Sequence, residues 1–449
     1  VSVLTRTAAL FLVLFVFAPF KVYPEVVQRT LPNGLQVLMA EDHKSPLAVF
    51  QIWYRVGSMD ESFGKTGLSH VLEHMMFKGT KKYGSKEFSR TIQRYGGTDN
   101  AFTSMDSTVY FQILPSEHLD LSLKFESDRM ANLLLREEDF QAERAVVMEE
   151  RRLRLEDDPQ SSLYEETEAA AFRVHPYHWP VIGWMPDLAH LKLEDLKQYY
   201  RTHYTPNNAF IVVVGDIDPD ALFKEIEKYF GSIKPSPPPE DRISQEPPLD
   251  GERRVYLDRE AELPYVVAAY HVPTLLDEDG YALDVLSTIL GGGRSGRLYR
   301  SLIYEQKVAL NVFADYGGLH RDPYLFTIGG TVAPGASDAA LEKALYAEVE
   351  RLKEEPVSDF ELAKAKNQIE ADFIMRQDSI FSQAMTIGRF HLLKDWRLKD
   401  RYVENIRAVT AEDVRRVARK YFDRDKRTVG ILIPEARQAQ EDGKGKEGR

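Results

Sequence analysis

The chain repeats itself. Leu191-Lys-Leu-Glu-Asp-Leu-Lys-Gln-Tyr-Tyr-Arg, continued by Asn208-Ala-Phe-Ile-Val-Val-Val, matches Val409-Thr-Ala-Glu-Asp-Val-Arg-Arg-Val-Ala-Arg, continued by Lys426-Arg-Thr-Val-Gly-Ile-Leu. Glu194, Asp195 and Arg201 fall on Glu412, Asp413 and Arg419, an offset of 218 residues, and the same 218 sets Pro46-Leu-Ala-Val-Phe-Gln-Ile-Trp-Tyr on Pro264-Tyr-Val-Val-Ala-Ala-Tyr-His-Val. A repeat this long is no solenoid turn; it implies a duplicated domain of about 200 residues. Each copy opens on a strand pattern and closes on a helix pattern followed by a buried strand pattern. The predicted class is therefore α+β: two homologous halves, each a mixed β-sheet packed with helices.

Pro235, Pro237, Pro238, Pro239, Pro247 and Pro248, with charges between them, have the composition of a semi-rigid linker. The expected boundaries are a first half over 24–234, a linker over 235–254, a second half over 255–434 and a disordered polar tail over 435–449. Residues 1–23 hold Arg6, an apolar run from Ala8 to Ala18 and then Pro19, the pattern of a short secretory h-region. The expectation is export, with this segment either a signal peptide or an anchor, leaving the protein periplasmic or held on the outer side of a bacterial inner membrane.

Gly67-Leu-Ser-His-Val-Leu-Glu-His-Met-Met-Phe carries the chemistry. At helical spacing Leu68, Val71, Leu72, Met75 and Met76 form one apolar stripe, and His70, Glu73 and His74 gather on the opposite face. His70 and His74 are one turn apart, so both imidazoles can reach one ion, with Glu73 between them placed to hold a water without being a ligand. This is the H-x-x-E-H arrangement. The chain has no cysteine, which excludes disulfides, thiol nucleophiles, iron–sulfur clusters and thiolate zinc sites, so the remaining ligand must be His or a carboxylate. Asp139 to Leu155 supplies Glu143, Glu149 and Glu150, with Glu156 just beyond. Glu143 and Glu150, seven apart, share a helix face, whereas Glu149 points elsewhere. That spacing nominates a pair without identifying the ligand. A formal charge of −12, from 58 Lys and Arg against 70 Asp and Glu, argues against a nucleic-acid partner.

His70-x-x-Glu73-His74 followed by Glu143-Arg144 and Glu150 resembles the insulinase/pitrilysin metallopeptidases, a family that includes the processing peptidases of mitochondria. Leu31-Pro-Asn-Gly-Leu, Tyr54-Arg-Val-Gly-Ser-Met-Asp-Glu, Thr98-Asp-Asn-Ala-Phe-Thr-Ser, His175-Pro-Tyr and Tyr204-Thr-Pro-Asn-Asn-Ala extend the likeness over most of residues 28–433. The resemblance implies a duplicated α/β roll holding one Zn²⁺ per chain on His70, His74 and Glu150, with Glu143 supporting the site and Glu73 as catalytic base. It implies that Asn100, Ala101 and Phe102 lie on a strand beside the zinc, to which a peptide adds as a further strand. Pro176 and Pro180 break any regular helix around His175 and His178, which read as a turn, not a second metal site.

The second half departs from the pattern. After a gap, Leu283, Leu286 and Ser287 occupy the positions of His70, Glu73 and His74. Active relatives place an Arg and a Tyr, seven apart, after a Gly-rich loop. The loop is present as Leu290-Gly-Gly-Gly-Arg-Ser-Gly-Arg-Leu-Tyr, but Ile303 and Leu310 stand where the pair belongs. Arg300, Tyr304 and Tyr316 are the candidates for compensation. The resemblance therefore points to a heterodimer in which a homologous subunit supplies Arg and Tyr, with a self-sufficient homodimer and a catalytically silent peptide-binding subunit as the alternatives.

Overall fold

A computed structural model describes residues 25–237 and 245–435 of the chain. The expected N-terminal signal or anchor, the middle of the proline-rich linker and all but the first residue of the tail lie outside the described residues. Among the described residues no helix is long and apolar enough to cross a membrane.

The first half runs β1 (Val26–Thr30), β2 (Gln36–Glu41), β3 (Leu47–Tyr54), α1 (Leu68–Met75), α2 (Glu87–Arg94), β4 (Thr98–Thr103), β5 (Thr108–Pro115), α3 (Leu119–Asn132), α4 (Glu137–Arg151), α5 (Pro159–Ala171), α6 (Met185–His190), α7 (Leu193–His203), β6 (Ala209–Gly215) and α8 (Pro219–Phe230). The second runs β7 (Arg253–Arg259), β8 (Tyr265–Val272), α9 (Gly280–Gly291), β9 (Ala309–Tyr316), β10 (Tyr324–Val332), α10 (Asp338–Glu354), α11 (Asp359–Met375), α12 (Ile380–Leu393), α13 (Leu398–Ala408), α14 (Ala411–Tyr421) and β11 (Arg427–Pro434). The sheets have orders β1-β2-β6-β3-β5-β4 and β7-β11-β8-β10-β9. Apart from β1 they share one plan. β2 lies parallel to β6 as β7 does to β11, and the remaining corresponding pairs are antiparallel. The fold is thus the mixed α and β duplication that the repeat predicts.

The central strands explain a further exchange. β6 is Ala-Phe-Ile-Val-Val-Val-Gly, buried at every position, a run that suits a strand covered on both faces. Ile211 and Val213 join Phe50, Ile52 and Tyr54 under the first half's own α1. The alternate residues Phe210, Val212 and Val214, with Val49 and Trp53, instead pack on Ala384, Ile387 and Trp396, which come from α12 of the second half and the turn after it. The reverse face of the second sheet is covered in kind: Tyr265, Val267 and Leu432 pack on Leu163 of α5. Each half therefore lends one helix to the other. Close approach at both contacts needs glycine: a Cβ on Gly388 of α12 would overlap the Trp53 indole, and one on Gly430 of β11 would overlap the Thr167 hydroxyl of α5.

Candidate metal centre

The helix that carries the H-x-x-E-H motif is anchored before its chemistry begins. Gly67 precedes α1 with φ +90, a left-handed conformation that favours glycine. A Cβ there would also stand 2.7 Å from the Ile182 carbonyl oxygen. The buried Glu61 carboxylate accepts hydrogen bonds from the Gly67 and Ser69 amides, both at 2.7 Å, which satisfies donors that a helix start leaves open. Leu68, Val71, Leu72 and Met75 are buried in the first core, so packing of the apolar stripe turns His70, Glu73 and His74 towards α4 and β4.

α4 brings the carboxylates. Glu150 Oε2 stands 3.8 Å from His70 Nε2 and 3.5 Å from His74 Nε2, and one ligating atom from each of His70, His74 and Glu150 lies within 4.8 Å of the others. Tetrahedral ligands placed 2.0–2.2 Å from zinc are roughly 3.3–3.6 Å apart, so the two Glu150–histidine distances fit zinc to within a few tenths of an ångström. Two nitrogens and one carboxylate also match the preference of that ion. Among the described residues this is the one group able to hold a metal. Burial, helped by the neighbouring His74 and Arg154, pushes the His70 imidazole down to about 3, which keeps its nitrogen lone pair free.

Glu143, one repeat of seven earlier on the same face, accepts from His74 Nδ1 at 3.1 Å, and its other oxygen pairs with Lys78. Burial acts against both charges. At Glu143, however, the hydrogen bonds from His74 and Lys78 prevail and lower its pKa, and at His74 the Glu143 bond with the charges of Glu73, Glu143 and Glu150 prevails and raises it. Such a bond fixes the ring and directs Nε2 at the space it shares with His70 and Glu150. Glu149 faces the opposite way, 59% exposed, and pairs with Arg152 at 2.9 Å.

β4 is the free edge of the first sheet and runs beside α1. Thr103, its last residue, donates a hydrogen bond to Glu73 Oε2. Burial raises the Glu73 pKa despite that bond. Along the strand Ala101 packs on the first core, whereas Phe102 turns to the other face, its ring edge-on to Trp53 at 6.1 Å. Asn100 Oδ1 accepts from the Ala101 amide at 2.8 Å. Three contacts here escape a motif search: Thr103 to Glu73, Lys78 to Glu143, and Arg154, whose Nη1 is 2.9 Å from Glu150 Oε1. Lys78 and Arg154 each sit four residues beyond a residue of the cluster, His74 and Glu150, and that spacing was the available signal.

Among the described residues the second half holds no counterpart of this centre. Leu283 and Leu286 on α9 are core residues. Ile303 is half-buried in the turn before β9 and Leu310 is 52% exposed. Of the compensation candidates, Tyr316 is committed to packing and donates to the Pro273 carbonyl at 2.8 Å, whereas Arg300 is exposed and Tyr304 is 76% exposed. His175 and His178 form the turn read from their prolines: His175 Nδ1 accepts from the Tyr177 amide, and His175 Nε2 faces Asp322 at 3.3 Å.

Residues 36–183 match the family model described as insulinase (peptidase family M16), and residues 190–369 match the one described as the peptidase M16 inactive domain. The chain is similar to the zinc protease PqqE of Helicobacter pylori, 35% identical with 90% of this chain and 92% of that protein covered. It is also 28% identical to a probable mitochondrial-processing peptidase subunit beta of Arabidopsis thaliana, covering 90% of this chain and 77% of that one. Among solved structures, a protease from Helicobacter pylori superimposes with a TM-score of 0.89 at 34% identity, covering 92% of this chain and 100% of that one. With both halves matched, and the convergent histidines and glutamate in the half that fits the insulinase model, the chain belongs to the M16 family of insulinase-type peptidases.

Proposed function

We propose that this chain is a zinc-dependent metalloendopeptidase for peptides and unfolded polypeptide segments, and that a homologous second chain completes its site. The observation that carries the reading is the approach of His70 Nε2 and His74 Nε2 to a single oxygen of Glu150, with a carboxylate, Glu73, on the same helix face. His70, His74 and Glu150 would hold zinc, which when bound acidifies water and polarises the scissile carbonyl. Glu73 takes the proton from the attacking water and returns it to the leaving amine nitrogen. The Thr103 hydroxyl occupies Glu73 Oε2 and leaves Oε1 for that exchange. Burial suits Glu73 to both steps, since a carboxylate with a raised pKa takes and gives a proton nearer neutrality.

Asn100, Ala101 and Phe102 bind substrate through the backbone of β4. An edge strand offers its hydrogen bonds to an extended chain, and an unfolded segment can lie along it without first losing structure of its own, so the enzyme favours unfolded segments. The partner reading rests on Ile303 and Leu310, which leave the chain without the Arg and Tyr of active relatives, and on likeness to a protein named as a beta subunit. The same two residues favour the second reading, a silent peptide-binding subunit. Export rests on the apolar run Ala8–Ala18.

The test measures bound zinc and cleavage of an unstructured fluorogenic peptide by the full chain, alone and mixed with a homologous M16 chain carrying the Arg and Tyr. One zinc per chain, lost in His70→Ala, and cleavage that rises on mixing are expected. Zinc binding without cleavage in either sample would establish the silent reading, and a chain that binds no zinc would overturn both.

A further inference from the structure

We propose that Arg154 is a positioning residue that confines Glu150 to one coordinating oxygen and so keeps an open position on the metal. This inference rests on the zinc-site reading above. The Glu150 carboxylate is divided between two tasks. Oε2 faces both imidazoles, at 3.8 and 3.5 Å, and Oε1 is held 2.9 Å from Arg154 Nη1. Coordination through both oxygens would require Oε1 to leave Arg154 and turn towards the ion. A catalytic zinc has three protein ligands and a fourth position for water or substrate, and a second oxygen from Glu150 would crowd that position.

The local backbone supports this role. α4 changes at Arg152 into a wider π-type turn, Arg152–Glu156, bridged by the Asp157 amide bonding to the Arg152 carbonyl at 2.8 Å. Such turns concentrate at functional sites, and Arg154 lies in the middle of this one. Glu143 repeats the device, with one oxygen on His74 Nδ1 and the other on Lys78. Arg152 offers the contrast: it pairs with Glu149 where both side chains are about half exposed, 48% and 59%, whereas the Glu150 partner of Arg154 is only 17% exposed.

The experiment compares the full wild-type chain with Arg154→Gln, Arg154→Lys and the control Arg152→Gln. Zinc affinity is measured by chelator competition, and the visible spectrum is recorded after loading with cobalt(II), which absorbs strongly when four-coordinate and weakly when five-coordinate. Arg154→Gln should weaken zinc binding about three- to tenfold, below the roughly ten- to hundredfold range for groups that orient ligands because Arg154 itself is largely exposed. It should also lower the cobalt absorption, with Arg154→Lys intermediate and Arg152→Gln like wild type. Unchanged affinity and spectrum in Arg154→Gln, or equal changes in Arg152→Gln, would overturn the proposal. A wild-type chain that binds neither metal would instead refute the zinc-site reading on which it rests.

Discussion

Truncating Leu163 should damage the half of the protein to which it does not belong. Leu163 lies on α5, in the first half of the chain, and is fully buried against Tyr265, Val267 and Leu432 of the second sheet. Leu→Ala at a buried site costs about 2–5 kcal/mol, the sum of lost transfer energy and the cavity left behind. The middle of that range suits this site. The cavity opens onto β8 and β11, inner strands held on both sides by ladder hydrogen bonds and unable to close on it. For a half of about 200 residues unfolding as a unit, ~3 kcal/mol lowers the melting temperature by roughly 6–12 °C. Hydrogen exchange gives the sharper assay: amides of β8 and β11 that exchange through opening of that half should speed up by about 100-fold, while β3 and β6 change far less. Acceleration confined to the first sheet, or none in β8 and β11, would refute the exchanged-helix account.

The reciprocal contact gives a second expectation. Gly388→Ala drives a methyl group into Trp53, whose indole is fixed by a 2.9 Å bond to Gln51 Oε1 and by stacking on Phe210, so it should destabilise the chain by about 1–3 kcal/mol in thermal melts; an unchanged melt would show that α12 does not seat there. A third concerns acid. Asp279, buried at the start of α9, accepts from Arg416, from Lys420 Nζ at 2.6 Å and from the Tyr421 hydroxyl at 2.7 Å. Burial works upward on its pKa, but these three α14 donors outweigh it and bring it down to about 2. A carboxylate lowered by folding stabilises the protein above its unfolded pKa, near 3.9, and loses that contribution as the pH falls towards 2. With Arg416 and Lys420 partly exposed, the contribution is about 1–2 kcal/mol. The stability gap between wild type and Asp279→Asn should therefore shrink between pH 4 and pH 2, and a constant gap would contradict the assignment.

Much of the architecture was legible because duplication writes itself twice. The offset that aligns Glu194 with Glu412 also carries β3 onto β8 and α7 onto α14, end residue for end residue, and β6 onto β11, which runs on to Pro434. The motif face of α1 was legible because one helix supplies both the apolar stripe and the two histidines. The helix exchange was not. Periodicity within a helix cannot say which sheet covers Leu163 or Ile387, and β6 reads as apolar throughout whichever half supplies the cover. The choice of Glu150 over Glu149 came from the family resemblance, because spacing within α4 does not contain its rotation relative to α1. Thr103, Lys78 and Arg154 escaped for a related reason: each acts on a residue of the centre and not on the ion, and each is a residue type common on any solvated surface.

The central claim is that Glu73 moves the proton while His70, His74 and Glu150 hold the metal. Glu73→Gln tests it most directly, with zinc content and peptide cleavage measured on the same preparation and under the conditions in which the wild-type chain cleaves. The Gln side chain keeps the shape and can still accept the Thr103 hydrogen bond, so only proton transfer is removed. One zinc per chain, as in wild type, is expected, with cleavage reduced about 10²- to 10⁴-fold. Cleavage at the wild-type rate, or zinc lost together with activity, would contradict it.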